Sequence, residues 1–163
     1  MGQLYCFKRE YDKAIAEGER AVALDPSGSM VHVLYATILT YAGRSEEAIP
    51  LFKKAIRLNP FGPAWYYTNL GQACRAAGRF EEAVSADKKA VERAPNNFYA
   101  HLGLAASYIM MGREKEALAE GAEVLRVNPK FSLDSWIRGL SAAYRDQSVI
   151  DNFIGALRKA GLK

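Results

Sequence analysis

The sequence of 163 residues has few of the features that point to catalysis, metal binding or a membrane. Two cysteines, Cys6 and Cys74, are too few for a disulfide scaffold, and neither has a nearby Cys or His at metal-ligand spacing. No run approaches the roughly 18 apolar residues of a membrane-spanning helix. The first residues lack the charged start and long apolar centre of a signal peptide. These absences predict a cytoplasmic protein with no membrane insertion, no metal and no cofactor.

Neither sign of charge is in large excess. The 22 Lys and Arg residues against 18 Asp and Glu residues give a net charge of +4, and the signs are interspersed. That balance is too mild to favour nucleic acid or an anionic membrane. The pairs Lys53-Lys54 and Lys88-Lys89 are typical of solvated helix faces. We therefore expect no nucleic-acid partner, and the length suits one domain with a substantial core.

What the sequence does contain is a repeat. Four prolines lie 34, 35 and 34 residues apart, at Pro26, Pro60, Pro95 and Pro129. An alanine precedes each proline by 12 residues, at Ala14, Ala48, Ala83 and Ala117. Seven residues further on comes a second short apolar residue, at Ala21, Ala55, Ala90 and Val124. A Gly-Arg pair stands in the middle of three repeats, at Gly43, Gly78 and Gly112.

Each of these marks has a physical role in a helix pair. Small residues let two helices approach closely. Glycine can adopt a left-handed conformation and end the first helix, and proline ends the second because it cannot continue the hydrogen-bond ladder. Between these marks apolar residues recur three and four positions apart, as at Ile49, Phe52 and Ile56. The sequence therefore predicts helix, turn, helix, turn, repeated along the chain.

The spacing resembles the tetratricopeptide repeat (TPR). One copy reads Tyr67-x2-Leu70-Gly71-x2-Cys74, followed by Gly78, Phe80, Ala83, Ala90 and Pro95, and similar copies begin at His32 and His101. The sequence departs from the pattern where the second helix usually carries an aromatic residue, at Gly18, Asp87 and Gly121. The resemblance implies an all-α, right-handed superhelical solenoid in a single domain over residues 1–163. Its expected units are a truncated repeat at about 1–28, repeats at 29–62, 64–97 and 98–131, and a capping helix pair at 132–163.

The two ends differ from the central repeats. About the first six positions of the first repeat are missing, which suits either a piece of a longer chain or a native start completed by a partner or second copy. The last segment keeps the helix-pair pattern, with Ser148 or Asp146 as the N-cap of its second helix. The ending from Tyr144 to Leu162 is similar to the tails of bacterial class III adenylate cyclases that carry a trailing TPR array. That resemblance implies a catalytic domain upstream and a regulatory role for the array.

No convergent catalytic set is present in the sequence. His32 and His101 stand where TPRs usually carry tryptophan, two repeats apart, and are expected to fill core space. Cys74 takes a core aromatic site. Acidic pairs such as Glu46-Glu47 open second helices, where they favour the helix dipole and face solvent. We therefore expect no catalytic residues and no enzymatic activity in this chain.

The family resemblance implies that the first helix of each pair lines a concave groove through its positions 2, 5, 9 and 12. Those positions hold Met30, Val33, Thr37 and Thr40, then Trp65, Thr68, Gln72 and Arg75, then Tyr99, Leu102, Ala106 and Met110 or its neighbour Ile109. Asn69 takes a site that often hydrogen-bonds ligand backbone in TPR proteins. The predicted groove therefore comprises Met30, Val33, Trp65, Thr68, Asn69, Gln72, Arg75, Tyr99, Leu102 and Met110. In an alternative interpretation, some of these side chains pack against the second helices instead.

These residues predict a scaffold that binds a peptide or helix segment of another protein, with Trp65 and Tyr99 as anchors. A homo-oligomer in which the groove binds a second copy is the alternative. The Lys/Asn/Asn/Lys/Arg clamp of chaperone-tail binders is matched only at Asn69, while Val33 and Tyr99 stand at two of its other places. We therefore expect chaperone-type carboxylate tails to bind no better than scrambled peptides.

Overall fold

In a computed structural model, the chain is described at residue 6 and over residues 8–140 and 143–163, with side chains 138–140 left out. Every regular element in these ranges is an α-helix, which confirms the predicted all-α solenoid. The helices are α1 (Tyr11–Leu24), α2 (Ser29–Tyr41), α3 (Ser45–Leu58), α4 (Trp65–Ala76), α5 (Phe80–Arg93), α6 (Phe98–Met110), α7 (Glu114–Val127), α8 (Leu133–Leu140) and α9 (Gln147–Lys159).

The turn inside each central helix pair contains the repeated Gly-Arg dipeptide. Gly43, Gly78 and Gly112 have φ angles of 81°, 74° and 72°, in the left-handed region that glycine adopts at little cost. The following arginine N–H then donates to a carbonyl five residues earlier, as from Arg79 to Cys74 at 2.8 Å. This is the Schellman ending of a helix, and it recurs in all three pairs. The arginine side chain also pairs with a glutamate in the next helix, as in Arg44–Glu47 and Arg113–Glu116.

The turn between pairs follows each proline and is closed by side chains. The Nε2 atoms of His32 and His101 lie 2.9 Å from the carbonyl oxygens of Pro26 and Pro95. Both rings are buried, as expected for residues that fill the usual tryptophan place. In the intervening repeat Arg93 donates instead to the carbonyl of Pro60 at 2.5 Å. Each proline therefore follows the end of a second helix, and the carbonyls of Pro26, Pro60 and Pro95 are held by the next repeat.

The recurring alanines lie where helices touch. Ala14, Ala48, Ala83 and Ala117 have no exposed surface, and neither do Ala55, Ala90 and Val124. Ala21, at the N-terminal end of the array, is only partly buried. A core of large side chains such as Phe52 and Leu104 fills the space between helices. Small contact residues and large core residues thus alternate as the repeat predicts.

The first helices of successive pairs lie on the inside of the array. α2 packs against α4, and α4 packs against α6, in addition to the packing of each helix against its own partner. Contact of this kind between first helices places them on the inner, concave side of a curved solenoid. The groove predicted from the family resemblance would therefore lie along α2, α4 and α6.

The C-terminal helix pair, α8 and α9, does more than close the end of the array. α9 packs against α6 and α7, and the N–H of Leu133 donates to the carbonyl of Lys163 at 2.7 Å. The segment before α9, residues 143–146, reaches back to the first repeats: the N–H of Arg145 donates to the carbonyl of Tyr41 at 2.8 Å. The C-terminal helices therefore cover part of the concave face, whereas the sequence predicted only a cap at the end of the array.

Candidate binding groove

A cavity of about 630 Å³ lies between the concave face and the C-terminal helix pair. Its first wall comes from α4 and α6 and contains Trp65, Thr68, Asn69, Gln72, Arg75, Tyr99, Leu102, Ala106 and Met110. Its second wall comes from the C-terminal helix pair and contains Trp136, Tyr144, Asp146, Ser148, Val149, Ile150, Asn152 and Phe153. The size is typical of a site that holds a few side chains or one small ligand.

Eight of the ten residues predicted for the groove line this cavity: Trp65, Thr68, Asn69, Gln72, Arg75, Tyr99, Leu102 and Met110. The other two belong to α2 and do not. Val33 is fully buried in the core with Phe52, which corrects its assignment to the groove surface. Met30 is exposed but lies outside the cavity lining. On α2 the inward positions Val33, Thr37 and Thr40 are thus buried and only Met30 is exposed, as the alternative interpretation held for part of the set.

The cavity presents apolar side chains that no other part of the described chain covers fully. Tyr99 is 60 % exposed, Met110 is 44 % exposed and Trp65 is 36 % exposed. The rings of Trp65 and Tyr66 meet edge to face at 4.7 Å, so the indole is fixed on one side and open on the other. A fixed, half-exposed aromatic ring loses little entropy on binding, which suits it to anchor a partner.

Three amide side chains of the cavity, those of Asn69, Gln72 and Asn97, already have partners inside the chain. Asn69 donates to the hydroxyl of Thr37 at 3.4 Å, and Asn97 donates to the hydroxyl of Thr68 at 3.3 Å. The Nε2 of Gln72 donates to the Tyr144 hydroxyl. The Asn69 amide, expected to hydrogen-bond a ligand backbone, is therefore used to join α4 to α2 in this structure.

The one cation among the predicted groove residues is balanced by a buried carboxylate. Arg75 donates to Asp87, which has no exposed surface, and its guanidinium lies 5.5 Å from the centre of the Phe153 ring. Desolvation by burial raises the pKa of the Asp87 carboxyl to about 7, against the opposing effect of Arg75. Gly71 and Gly103 leave the space that the pair fills, because a Cβ at either position would collide with Asp87.

The second wall of the cavity is what reasoning from the sequence missed. The apolar stripe of α9, with Ile150 and Phe153, was recognisable from its helical spacing. Its place against α6 was not, because the segment carries none of the TPR marks that fix the register of the other helices. A helix that is long enough to pack and lacks a repeat signature can dock on either face of the array.

The described residues offer this surface neither a metal-binding cluster nor a reactive thiol. They contain no group of three or more His, Cys, Asp and Glu side chains placed to hold a metal ion. Cys6 and Cys74 are free and buried, and desolvation raises the pKa of each thiol to about 11, which suppresses the reactive thiolate. None of the described helices combines the length and apolarity that crossing a membrane requires.

Comparison with protein families agrees with this architecture. Two models, each described as tetratricopeptide repeat, match residues 29–96 and 75–136. Together they span residues 29–136, more than half of the chain. This chain belongs to the tetratricopeptide-repeat family. As a TPR array it is a protein-interaction module, because stacked helix pairs present an extended concave surface to other molecules.

Three curated proteins illustrate how widely this TPR sequence is shared. A small glutamine-rich tetratricopeptide repeat-containing protein 2 from Mycosarcoma maydis is 33 % identical over 72 % of this chain. A TPR repeat-containing thioredoxin from Arabidopsis thaliana is 40 % identical over 46 % of the chain, and a peroxisomal targeting signal receptor from Candida albicans is 33 % identical over 52 %. The matches cover only 33 %, 11 % and 14 % of those proteins, so the chain spans a third of their length or less.

Solved structures named MamA share the fold. One from MSR-1 is 27 % identical, with a TM-score of 0.68, over 79 % of this chain and 74 % of its own. Another has a TM-score of 0.71 at 22 % identity over 98 % and 92 % of the two chains. A MamA from Desulfovibrio magneticus RS-1 also reaches 0.71, at 21 % identity over 79 % and 72 %. The likeness at these low identities shows the fold alone.

Proposed function

We propose that this TPR array binds an apolar segment of another polypeptide, a peptide or a helix, in its concave groove. The observation that carries the proposal is the convergence of Trp65, Tyr99 and Met110 on one cavity, each more than a third exposed. An exposed apolar patch on an otherwise polar surface is typical of an interaction site. Aromatic anchors at its centre are the residues that usually contribute most binding energy.

The charge of the groove supports an apolar partner. Arg75 is paired with Asp87, and the amides of Asn69, Gln72 and Asn97 have internal partners. A partner segment therefore gains little from a carboxylate and most from aromatic or aliphatic side chains. Chaperone-type acidic tails are for this reason not the proposed ligands.

The proposal can be tested by photo-crosslinking in cells that express the chain. A benzophenone amino acid replaces Tyr99, on the concave helix α6, or Leu125, on the second helix α7 of the same pair; both positions are exposed. We expect a defined crosslinked product from position 99 that the substitution Trp65→Ala weakens and that position 125 does not give. Equal crosslinking from both positions, or none from position 99, would contradict a groove-bound partner.

A second copy of the chain is the alternative occupant. The same experiment separates the two, because a crosslinked product of twice the mass of the chain identifies a homo-oligomer and a hetero-product identifies another protein. We propose no nucleic-acid partner, since basic side chains such as Lys53 and Arg79 pair with Glu82 and are not arranged as a free basic stripe. The two free, buried thiols support a reducing compartment, the cytoplasm, as the site of action.

We also propose that the array regulates a catalytic domain of the adenylate cyclase class joined to it in a longer protein. The proposal rests on the similarity of the ending from Tyr144 to Leu162 to cyclase tails, and it assigns no catalytic residue to this chain. Sequencing the gene upstream of Met1 tests it directly. An upstream cyclase domain in the same reading frame is the expected result, and a stop codon before any such domain would contradict the proposal.

A further inference from the structure

The segment before α9 crosses the concave face and is held there by residues far away in sequence. The Tyr11 hydroxyl donates to the carbonyl of Ala143 at 3.3 Å, and the backbone N–H of Arg145 donates to the carbonyl of Tyr41. The rings of Tyr41 and Tyr144 meet edge to face at 5.0 Å. These contacts attach the C-terminal end of the chain to the first helices of the array.

The helix that follows turns its apolar side into the groove. Val149, Ile150 and Phe153 line the cavity and share one side of α9, because they are separated by one, three and four positions. The Phe153 ring packs against the Trp136 ring at a tilt, with the ring centroids 5.9 Å apart, and faces the guanidinium of Arg75. An amphipathic helix with its apolar side in a groove is one of the common modes of peptide recognition.

Residues 143–153, which we call the internal segment, therefore lie where a partner would bind. We propose that the internal segment acts as a built-in ligand of the groove, and that the partner is an amphipathic helix which displaces it from α4 and α6. This inference rests on the proposed function and adds its regulation. The binding-competent form is the one in which the internal segment has left the groove.

The anchoring of the internal segment is uneven, which makes local release possible. The chain that follows the internal segment is fixed, because Leu157 and Leu162 are buried and Gly121 leaves room for the carbonyl of Ala160 at the close approach of α9 to α7. The internal segment itself is held by the hydrogen bonds at Ala143 and Arg145 and by the buried side chains of Tyr144 and Ile150. Releasing residues 143–153 therefore leaves the last turn of α9 attached and the array closed at its end.

An internal competitor lowers the apparent affinity of any partner. The apparent dissociation constant equals the intrinsic constant divided by the fraction of molecules with a free groove. A substitution that loosens the internal segment and leaves the groove residues of α4 and α6 unchanged in sequence should thus tighten binding. Tyr144→Ala is such a substitution, because it removes the contact with the Tyr41 ring and the hydroxyl that accepts from Gln72.

The probe is a fluorescent synthetic peptide with the sequence of the internal segment, residues 143–153. It is titrated into the full chain, Tyr144→Ala and the control Tyr67→Ala, whose ring stacks on Arg93 outside the cavity. We expect Tyr144→Ala to bind the peptide about tenfold more tightly than the unaltered chain, and Tyr67→Ala to bind it unchanged. Adding Trp65→Ala to Tyr144→Ala should weaken peptide binding, because the peptide then lacks its anchor in the groove.

Hydrogen exchange gives a second readout that does not depend on the peptide. Tyr144→Ala should speed exchange in residues 147–153 and leave α4 and α5 protected. If Tyr144→Ala unfolds the array, Tyr144→Phe takes its place, because it removes only the hydroxyl. It should increase peptide affinity and hydrogen exchange in the same direction, by a smaller amount. Equal peptide affinity in the unaltered chain and the loosened variant, or no peptide binding by either, would overturn the inference. Crosslinking from position 99 to a partner would in that case still support the proposed function.

Discussion

At the residue scale, the departures from the TPR pattern each have a neighbour that explains them. The TPR pattern usually has an aromatic side chain in the second helix, where this chain has Gly18 and Gly121. The Tyr35 ring fills that space at Gly18, and the backbone of Ala160 comes close at Gly121. At Asp87 the carboxylate itself fills it and pairs with Arg75. The sequence revealed that these three sites are unusual, but it could not reveal their neighbours, because each neighbour comes from another helix.

The recurring alanine gives a direct test of the repeat register. Ala83→Asp should destabilise the array strongly, because Ala83 has no exposed surface and lies in the core with Phe52 and Leu70. A buried carboxylate without a partner costs on the order of 3 kcal/mol or more. Urea unfolding followed by circular dichroism measures the change.

The matched control for Ala83→Asp is Ser85→Asp, two positions further along α5 and exposed. It introduces the same carboxylate into the same helix and should change the free energy of unfolding by no more than about 0.5 kcal/mol. Similar stabilities of the two variants would show that Ala83 does not lie at a helix contact.

Asp87 should make the stability of the array depend on pH. Its pKa is about 7 in the folded chain, mainly because burial disfavours the charged carboxylate, and near 4 when unfolded. Between these two pKa values the folded state binds more protons than the unfolded state. The free energy of unfolding therefore falls as the pH rises from about 4 to about 7 and then levels off. In urea unfolding, the unaltered chain should have a lower free energy of unfolding at pH 8 than at pH 5, and Asp87→Asn should lack this difference.

Groups other than Asp87 contribute equally to both proteins, so the difference between the two pH dependences isolates this carboxyl. A pH dependence that Asp87→Asn leaves unchanged would show that the carboxyl does not titrate in this window. An unchanged dependence combined with lower stability of Asp87→Asn at both pH values would show that Arg75 holds Asp87 ionised throughout.

At the element scale, the sequence predicted the helices and their turns well because each turn has a local cause. Glycine at Gly43, Gly78 and Gly112 and proline two residues after each second helix act through the backbone alone. Asp146 caps α9 by accepting from the N–H of Ser148 at 2.9 Å, one of the two caps expected. The inward side chains of α2 were less predictable, because the burial of Val33 depends on packing with α3.

The glycine turns can be compared with a glycine inside a helix. Gly78→Ala should destabilise the array by about 1 kcal/mol, because the left-handed conformation at φ 74° disfavours a Cβ although there is open space around it. Gly155→Ala should stabilise α9 by about 0.5 to 1 kcal/mol, since its Cβ would also meet nothing and alanine favours a helix. Thermal unfolding of both variants should therefore shift in opposite directions.

Loss of stability in both alanine variants would mean that space around Gly155 is tighter than the structure indicates. A neutral effect at Gly78 would mean that the turn can rearrange without the left-handed residue. Either result bears on a single element and leaves the repeat architecture intact.

At the scale of the whole molecule, the array was predictable and the place of its C-terminal end was not. Repeats fix each other through contacts between successive pairs, so four copies of one pattern determine the solenoid. α9 has an apolar side but no repeat mark, and only its contacts with α6 and α7 place it over the groove. The groove residues of α4 and α6 follow from the repeat, whereas the second wall follows from tertiary packing.

The central claim is that the concave face binds a partner through its exposed aromatic residues. The most direct test is the dissociation constant for the partner trapped from position 99, measured with Trp65→Ala and with the control Leu125→Ala. Trp65→Ala should weaken binding by about 2 kcal/mol, roughly thirtyfold, with nearly unchanged helix content, and Leu125→Ala should have no effect. Unchanged affinity in Trp65→Ala, or a collapsed fold that still binds, would contradict the account.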